Sequence, residues 1–250
     1  MSIKKLTVAL LFIAFASSVF GEEGKLSSFS KAKKELRKVY SNHQITFYAS
    51  CKYNYKDKNN MIDRSSCGYV PRNEYTKKGK INKRARRIEW EHVIPAQNFG
   101  RQFKCWREGD SLCIKKDGKP YKGRKCCSKV DKKFKIMQAD LHNLVPAIGE
   151  LNADRSNFRY SLIENEPRFY GKNVDFEVDF KKRVAEPKPS IRGDIARIYF
   201  YFEKEYDLKI SNKDKKLFEV WNRIDPVDKW ELEKNEKVYK IQKNRNEFVK

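Results

Sequence analysis

The chain has 250 residues, 56 of them Lys or Arg against 33 Asp or Glu, for a formal net charge of +23. No stretch beyond the amino terminus is long and apolar enough for a helix to span a bilayer, and a lipidated or uncleaved amino-terminal anchor is the weaker reading. Such an excess of cations, interleaved with 13% aromatic residues, implies a polyanionic partner: nucleic acid, acidic glycan or an anionic membrane surface.

"MSIKKLTVALLFIAFASSVFG" carries Lys4 and Lys5, an apolar run, and then small residues. It reads as an export signal cleaved after Gly21. Removing residues 1–21 leaves one domain, 22–250, with a charge of +21. Residues 27–42 follow as an amphipathic helix. "QITFYASCKYNY" has the β-branched and aromatic content of a strand. Residues 72–87 ("KKGKINKRARR") read as a solvated cationic loop beside a polyanion site. "RRIEWEHVIPA" is a short strand and turn stopped by Pro95, and residues 101–131 are a Cys-, Gly- and Lys-rich loop region. "FKIMQADLHNLVPAIGELNADRSNFRY" reads as two helical pieces, with Pro146 in the first turn of the second. Residues 171–192 look irregular, with "EPKPS" as a surface turn. "DIARIYFYFEKEY" and "DKKLFEVWNRI" show the apolar spacing of core-facing helices. There is no internal repeat and no linker that would divide the chain. The fold class is α+β, a small mixed sheet surrounded by helices.

Six cysteines in an exported chain read as disulfides. Spacing alone leaves the 15 possible pairings open. Only Cys126 with Cys127 is disfavoured, by the strain of bridging neighbours. A zinc site is the weaker reading, since no C-x-x-C pair is present and the chain has three histidines.

Those histidines are His43, His92 and His142. If the polyanion is a nucleic acid that the protein cuts, a histidine is the natural general base near neutral pH. A hard divalent cation held by oxygen ligands would stabilise the leaving oxygen. Glu91 beside His92 offers such an oxygen. Strand neighbours point to opposite faces, so the two share a site only if the strand bends or bulges. By itself the Glu-His pair means little, and Asn143 reads as a cap or turn residue. In "LHNLVPAIGELN", however, Asn152 adds an amide oxygen suited to Mg2+ or Ca2+.

"IEWEHVIPAQNFG" together with "DLHNLVPAIGELNADRSNF" resembles the bacterial endonuclease I family of exported, non-specific nucleases, in the ββα-metal (His-Me finger) superfamily. "SCGYVPR", "RGDIARIYFYF" and "WNRIDPVDKWE" extend the likeness over nearly the whole mature chain. The resemblance implies that His92 is the general base for the attacking water. It implies that Glu91 and Asn152 are the metal ligands and that Arg124 contacts the scissile phosphate. Asn143 then holds the finger together, and Gln138 stands near the metal where the family often has Glu. The same likeness favours the pairs Cys51–Cys67, Cys105–Cys127 and Cys113–Cys126. The family's cysteine in "WEC" is absent from "WELEKN", so at least one family disulfide is missing.

The implied activity is a periplasmic or secreted, metal-dependent endonuclease, working with Mg2+ (Mn2+ or Ca2+ as alternatives). It would act as a monomer on double- and single-stranded DNA and on RNA, leaving 5′-phosphate and 3′-hydroxyl ends. Lys77, Lys78, Lys80, Lys83, Arg84, Arg86 and Arg87 are the candidates to line its groove. Three competing readings remain: a non-catalytic polyanion-binding secreted protein, a membrane-active basic protein, and a ribonuclease-biased nuclease of the same fold.

Overall fold

The computed structural model describes residues 24–57 and 59–250; the export signal and its cleavage after Gly21 lie outside them. The elements in chain order are α1 (Phe29–Val39), β1 (Lys52–Tyr53), β2 (Ile62–Asp63), β3 (Ile88–His92), α2 (Ala96–Gly100), α3 (Lys104–Arg107), α4 (Arg124–Val130) and α5 (Lys132–Ala139). Then come β4 (Leu144–Ile148), α6 (Gly149–Arg155), β5 (Arg159–Tyr160), β6 (Phe176–Asp179), β7 (Val184–Pro187), α7 (Arg192–Tyr206), α8 (Asn212–Ile224) and α9 (Lys229–Gln242). The class is α+β. The sheets are small and separate: β1–β2 and β3–β4 are antiparallel pairs, and β5-β7-β6 is mixed. The mixed sheet is therefore not the one that carries Glu91 and His92.

Several local expectations need correcting. Pro146 opens no helix. It sits in the middle of β4, opposite Trp90, and the helix starts only at Gly149. The residue's carbonyl accepts from Phe47 N–H at 2.8 Å, so its backbone polar groups face away from β3. The missing N–H of proline thus costs the β3–β4 ladder nothing. Residues 101–131 contain α3 and α4 as well as loop, fastened by Cys105–Cys127 and Cys113–Cys126. With Cys51–Cys67 these are the pairs the likeness favoured, and the described residues contain no free cysteine. The stretch 171–192 is more regular than it looks. It holds the β6–β7 hairpin, where Glu186 and Pro187 of "EPKPS" are buried, and Arg192 pairs with Glu186 at 2.7 Å. Residues 44–55 are mostly turn and irregular chain, with only β1 and the Ile45–Lys52 bridge as strand structure.

Two cores flank β3–β4. The larger gathers Val145, Ala147, Leu151, Tyr160, Phe176, Phe202 and Trp221. The smaller joins Ala32, Leu36 and Val39 of α1 to Ala139, Leu141, Leu144 and Val238. α1 is capped by Ser28, whose hydroxyl accepts from Lys31 N–H, and it buries the Ala32–Leu36–Val39 stripe. α9 opens with a capping box between Asp228 and Glu231. No helix of the described residues is long and apolar enough to cross a membrane.

Candidate active site

β3 and β4 pair one to one from Ile88↔Ile148 through His92↔Leu144, without a bulge, and α6 follows directly. Regular pleating puts Glu89 and Glu91 on one face and Trp90 and His92 on the other. The bend expected to bring Glu91 and His92 together is absent from this strand, and their side chains touch separate sets of residues.

On one face α6 covers the two carboxylates. Gly149 must be glycine for this approach, because a Cβ there would lie 2.9 Å from both Arg84 O and Glu89 Cδ. Glu89 takes two bonds from Arg84, one from Asn152 Nδ2 at 3.0 Å, and an ion pair from Arg87 at 3.6 Å. Asn152 therefore meets Glu89, not Glu91, and its Oδ1 is left for a second partner. Glu91 is 3% exposed and accepts from Tyr48 Oη at 3.0 Å. Its ion pair is with Arg155, 3.5 Å away and itself 1% exposed. Burial raises the Glu91 carboxyl to about 7, against the pull of Arg155 and the Tyr48 bond. Its Oε2 is buried without a hydrogen-bond partner. An orphaned carboxylate oxygen, a second carboxylate and an amide oxygen make an all-oxygen donor set that fits a hard divalent cation. Arg155 ties this face to the next turn of chain, donating to His92 O at 3.1 Å and to Val93 O.

On the other face, the His92 Nε2–H donates to Gln138 O at 2.8 Å. The neutral ring then keeps its lone pair on Nδ1, the tautomer a base needs. Burial, with Arg124 adding repulsion, lowers the imidazole to about 3, so the ring is neutral at physiological pH. The Phe29 ring of α1 stacks on it, centroids 5.0 Å apart. Arg124 starts α4 just after Gly123, whose φ of 80° favours glycine. The exposed Arg124 guanidinium lies 5.2 Å from the Phe29 centroid, with Nε 3.4 Å from Gln138 Oε1. Gln138 is itself buried and bonded to Ser128. His92, Arg124 and Gln138 are thus one cluster. Asn143 clamps its base, accepting from Ile94 N–H at 2.7 Å and donating to Ile94 O at 3.0 Å.

The other histidines lie elsewhere. His43 stacks face to face on Trp230, 3.9 Å between centroids. His142 Nε2–H donates to Asn244 O at 3.2 Å, and burial lowers the ring to about 4. The cationic loop divides. Lys77, Lys78, Lys80 and Lys83 are exposed, whereas Arg86 joins Arg64 on Glu74, and Arg84 and Arg87 are tied to Glu89. A separate acidic group, Glu166, Asp175 and Glu177, is bridged by Arg168, which ion-pairs with all three.

Sequence reasoning missed Glu89, Arg155, Tyr48 and Phe29. Two carried a local signal: Glu89 is two residues before Glu91 on a strand, and Arg155 is three after Asn152 on a helix. Tyr48 and Phe29 arrive only through tertiary packing.

The family model for endonuclease I matches residues 21–250. An extracellular deoxyribonuclease of Aeromonas hydrophila is 42% identical over 240 residues, covering 96% of this chain and 95% of that protein. A periplasmic deoxyribonuclease of the same organism is 44% identical over 89% of this chain and 85% of its own length. Endonuclease-1 of Buchnera aphidicola subsp. Acyrthosiphon pisum (strain APS) is 42% identical, over 90% and 81% respectively.

Proposed function

The protein belongs to the endonuclease I family, and from that membership we propose that it is an exported, metal-dependent endonuclease that hydrolyses DNA, and RNA as well, without sequence preference. The extracellular and periplasmic deoxyribonucleases it resembles, and its signal-like leader, support a place outside the cytoplasm. The observation that carries the catalytic reading is His92: neutral, fixed in one tautomer by Gln138 O, and grouped with an exposed arginine. We read β3, β4 and α6 as the ββα-metal finger of a single domain that acts as a monomer.

In this mechanism His92 Nδ1 takes the proton of the attacking water. Arg124, exposed at the start of α4 and steadied by Gln138 and Phe29, holds a non-bridging oxygen of the phosphate and stabilises the charge that builds there. Asn143 keeps the strand-to-helix connection at a fixed distance, so the imidazole does not drift. Glu91 and Asn152, with Glu89 beside them, would hold the divalent cation across β3 from the imidazole, and bound there it would supply Lewis-acid stabilisation of the leaving 3′ oxygen of a phosphate that reaches both faces. The products are a 5′-phosphate and a 3′-hydroxyl. Because the described cations can contact phosphates without reading bases, binding depends on salt rather than sequence.

The test is cleavage of linear DNA and of RNA by the oxidised protein, with Mg2+ and then with EDTA, followed by end labelling. The expected ends accept a label from a kinase only after phosphatase treatment. Cutting that survives EDTA, or 3′-phosphate ends, would contradict the mechanism. Retarded migration without cutting would favour the non-catalytic polyanion-binding reading.

A further inference from the structure

A cleft of about 560 Å3 runs between α1 and the beginning of β3. Its α1 wall presents Phe29, Lys33, Lys34 and Arg37, and its opposite wall presents Arg87 and Glu89. Phe29, Lys33 and Arg37 are spaced by four residues and so form one stripe along the helix. The stripe borders the Ala32–Leu36–Val39 contact that anchors α1 to the small core, and Phe29, at its end, packs against that core. Like charges four residues apart do not help the helix, and no ion pair with a described residue relieves Lys33, Lys34 or Arg37. The arginines of the cationic loop behave in the opposite way, for Arg84, Arg86 and Arg87 already have Glu74 or Glu89. At the end of the stripe, Phe29 lies under the Lys33 ammonium, 5.0 Å from its centroid, while its ring contacts both His92 and Arg124.

We propose that α1 is the wall that holds the phosphate backbone of the strand being cut, through Lys33, Lys34 and Arg37, and that Phe29 is a positioning residue for His92. The proposal rests on the nuclease reading above and moves the main phosphate contacts from the 72–87 loop to the first helix of the mature chain. Four residues of α-helix rise about 6 Å, comparable with about two nucleotides of one B-form strand. Lys33 and Arg37 bracket that span along the stripe, and Lys34, about a quarter turn round the helix, adds a further cation on the same wall. Phe29 fills the gap that would let the imidazole rotate away from Gln138 O. As the ring also meets Arg124, one aromatic sets the spacing of base and phosphate anchor.

The experiment measures binding of a short fluorescent DNA, single-stranded and duplex, to the oxidised His92→Ala protein across a series of NaCl concentrations. Adding Lys33→Ala, Lys34→Ala and Arg37→Ala together should weaken binding. It should also lower the log–log salt slope by roughly 2 to 3, about 0.7 per contact on a single strand and 0.9 on a duplex. Lys77→Ala, Lys78→Ala and Lys80→Ala together should lower it by less than one such contact. Because Lys34 is exposed, Lys34→Glu alone gives a folded control with a loss of affinity in the same direction. In the cutting enzyme, Phe29→Ala should reduce kcat while leaving KM nearly unchanged, and Phe29→Tyr should restore most of it. An unchanged slope in the α1 variant, with the loss appearing in the loop variant, would overturn the groove assignment. A Phe29→Ala enzyme as fast as wild type, or faster, would overturn the positioning role. Failure of the nuclease reading looks different: the parent protein would bind these strands and never cut them.

Discussion

The two faces of β3 handle their polar side chains in contrary ways. Under α6, Glu89 and Glu91 are held by Arg84, Arg87, Arg155, Tyr48 and Asn152, and Glu91 and Arg155 are almost wholly removed from water. Under α1, His92 is also buried, with one side-chain hydrogen bond and the rings of Phe29 and Phe99 against it, and only Arg124 beside it is exposed. A buried ion pair that loses one partner leaves a charge in a poor dielectric, so the first face is organised for rigidity. The second buries a single neutral ring and leaves an exposed guanidinium beside it, the arrangement the proposed mechanism needs for a base and a phosphate anchor. The lesson is that residues 91 and 92, neighbours in the chain, answer to different physical demands, and mutations should separate them.

The sharpest separation is expected from His92→Ala. It should lower the rate of DNA nicking by about 10³- to 10⁴-fold while leaving the urea midpoint as high as wild type or higher. Arg155→Met should do the reverse in kind. Stranding Glu91 costs about 3 to 5 kcal/mol, read from urea unfolding, and Glu91→Gln in the same protein should recover part of it. A fully additive double variant would break the claim that the two form one buried pair.

Next in size is the Cys113–Cys126 bridge, which spans 13 residues of the Arg124 region. Replacing both cysteines by Ala should cost about 3 kcal/mol. Since α4 carries Arg124, nicking should fall further than DNA affinity does. Equal activity of the reduced protein would show that the staple does not hold the anchor.

A smaller effect tests burial away from β3. Burial lowers His142 to about 4 in the folded protein, with Lys234 opposing and Asp140 favouring its charge. The unfolded chain binds that proton below about 6.5 and the folded one only near 4, so stability rises with pH across this window and is lost as pH falls. Between about pH 7 and pH 4.5 the loss should be roughly 2 to 3 kcal/mol. His92 contributes in the same direction, so the check is the difference between wild type and His142→Asn, whose urea midpoint should fall less steeply on acidification.

Much of the helical frame was legible in the chain. The aromatic periodicity of 195–206 and 214–224 does correspond to α7 and α8, because packing against a large core leaves a 3.6-residue imprint. α9 had a readable start in "DKWE", a capping box that was passed over. β4 was misread because proline was weighed as a helix opener, whereas its missing N–H faces the unpaired edge of a strand. The β6–β7 hairpin was hidden by two prolines and a lysine, and it holds through Arg192 on Glu186, five residues past the strand. At the site, motif likeness named His92, Arg124, Gln138 and Asn143, and the structure gathers them around one turn. It could not say that Asn152 would meet Glu89, or that Arg155 would occupy the space beside Glu91. Those outcomes depend on strand pleat and helix docking, which no local spacing encodes.

The most direct test of the central claim is plasmid nicking by the oxidised protein in Mg2+, wild type beside His92→Ala, with unfolding measured on both. The account predicts rapid nicking by wild type, a loss of about 10³-fold or more in the variant, and no loss of stability. Nicking by His92→Ala within about tenfold of wild type would contradict it, and would place the base of this enzyme somewhere other than the α1 face of β3.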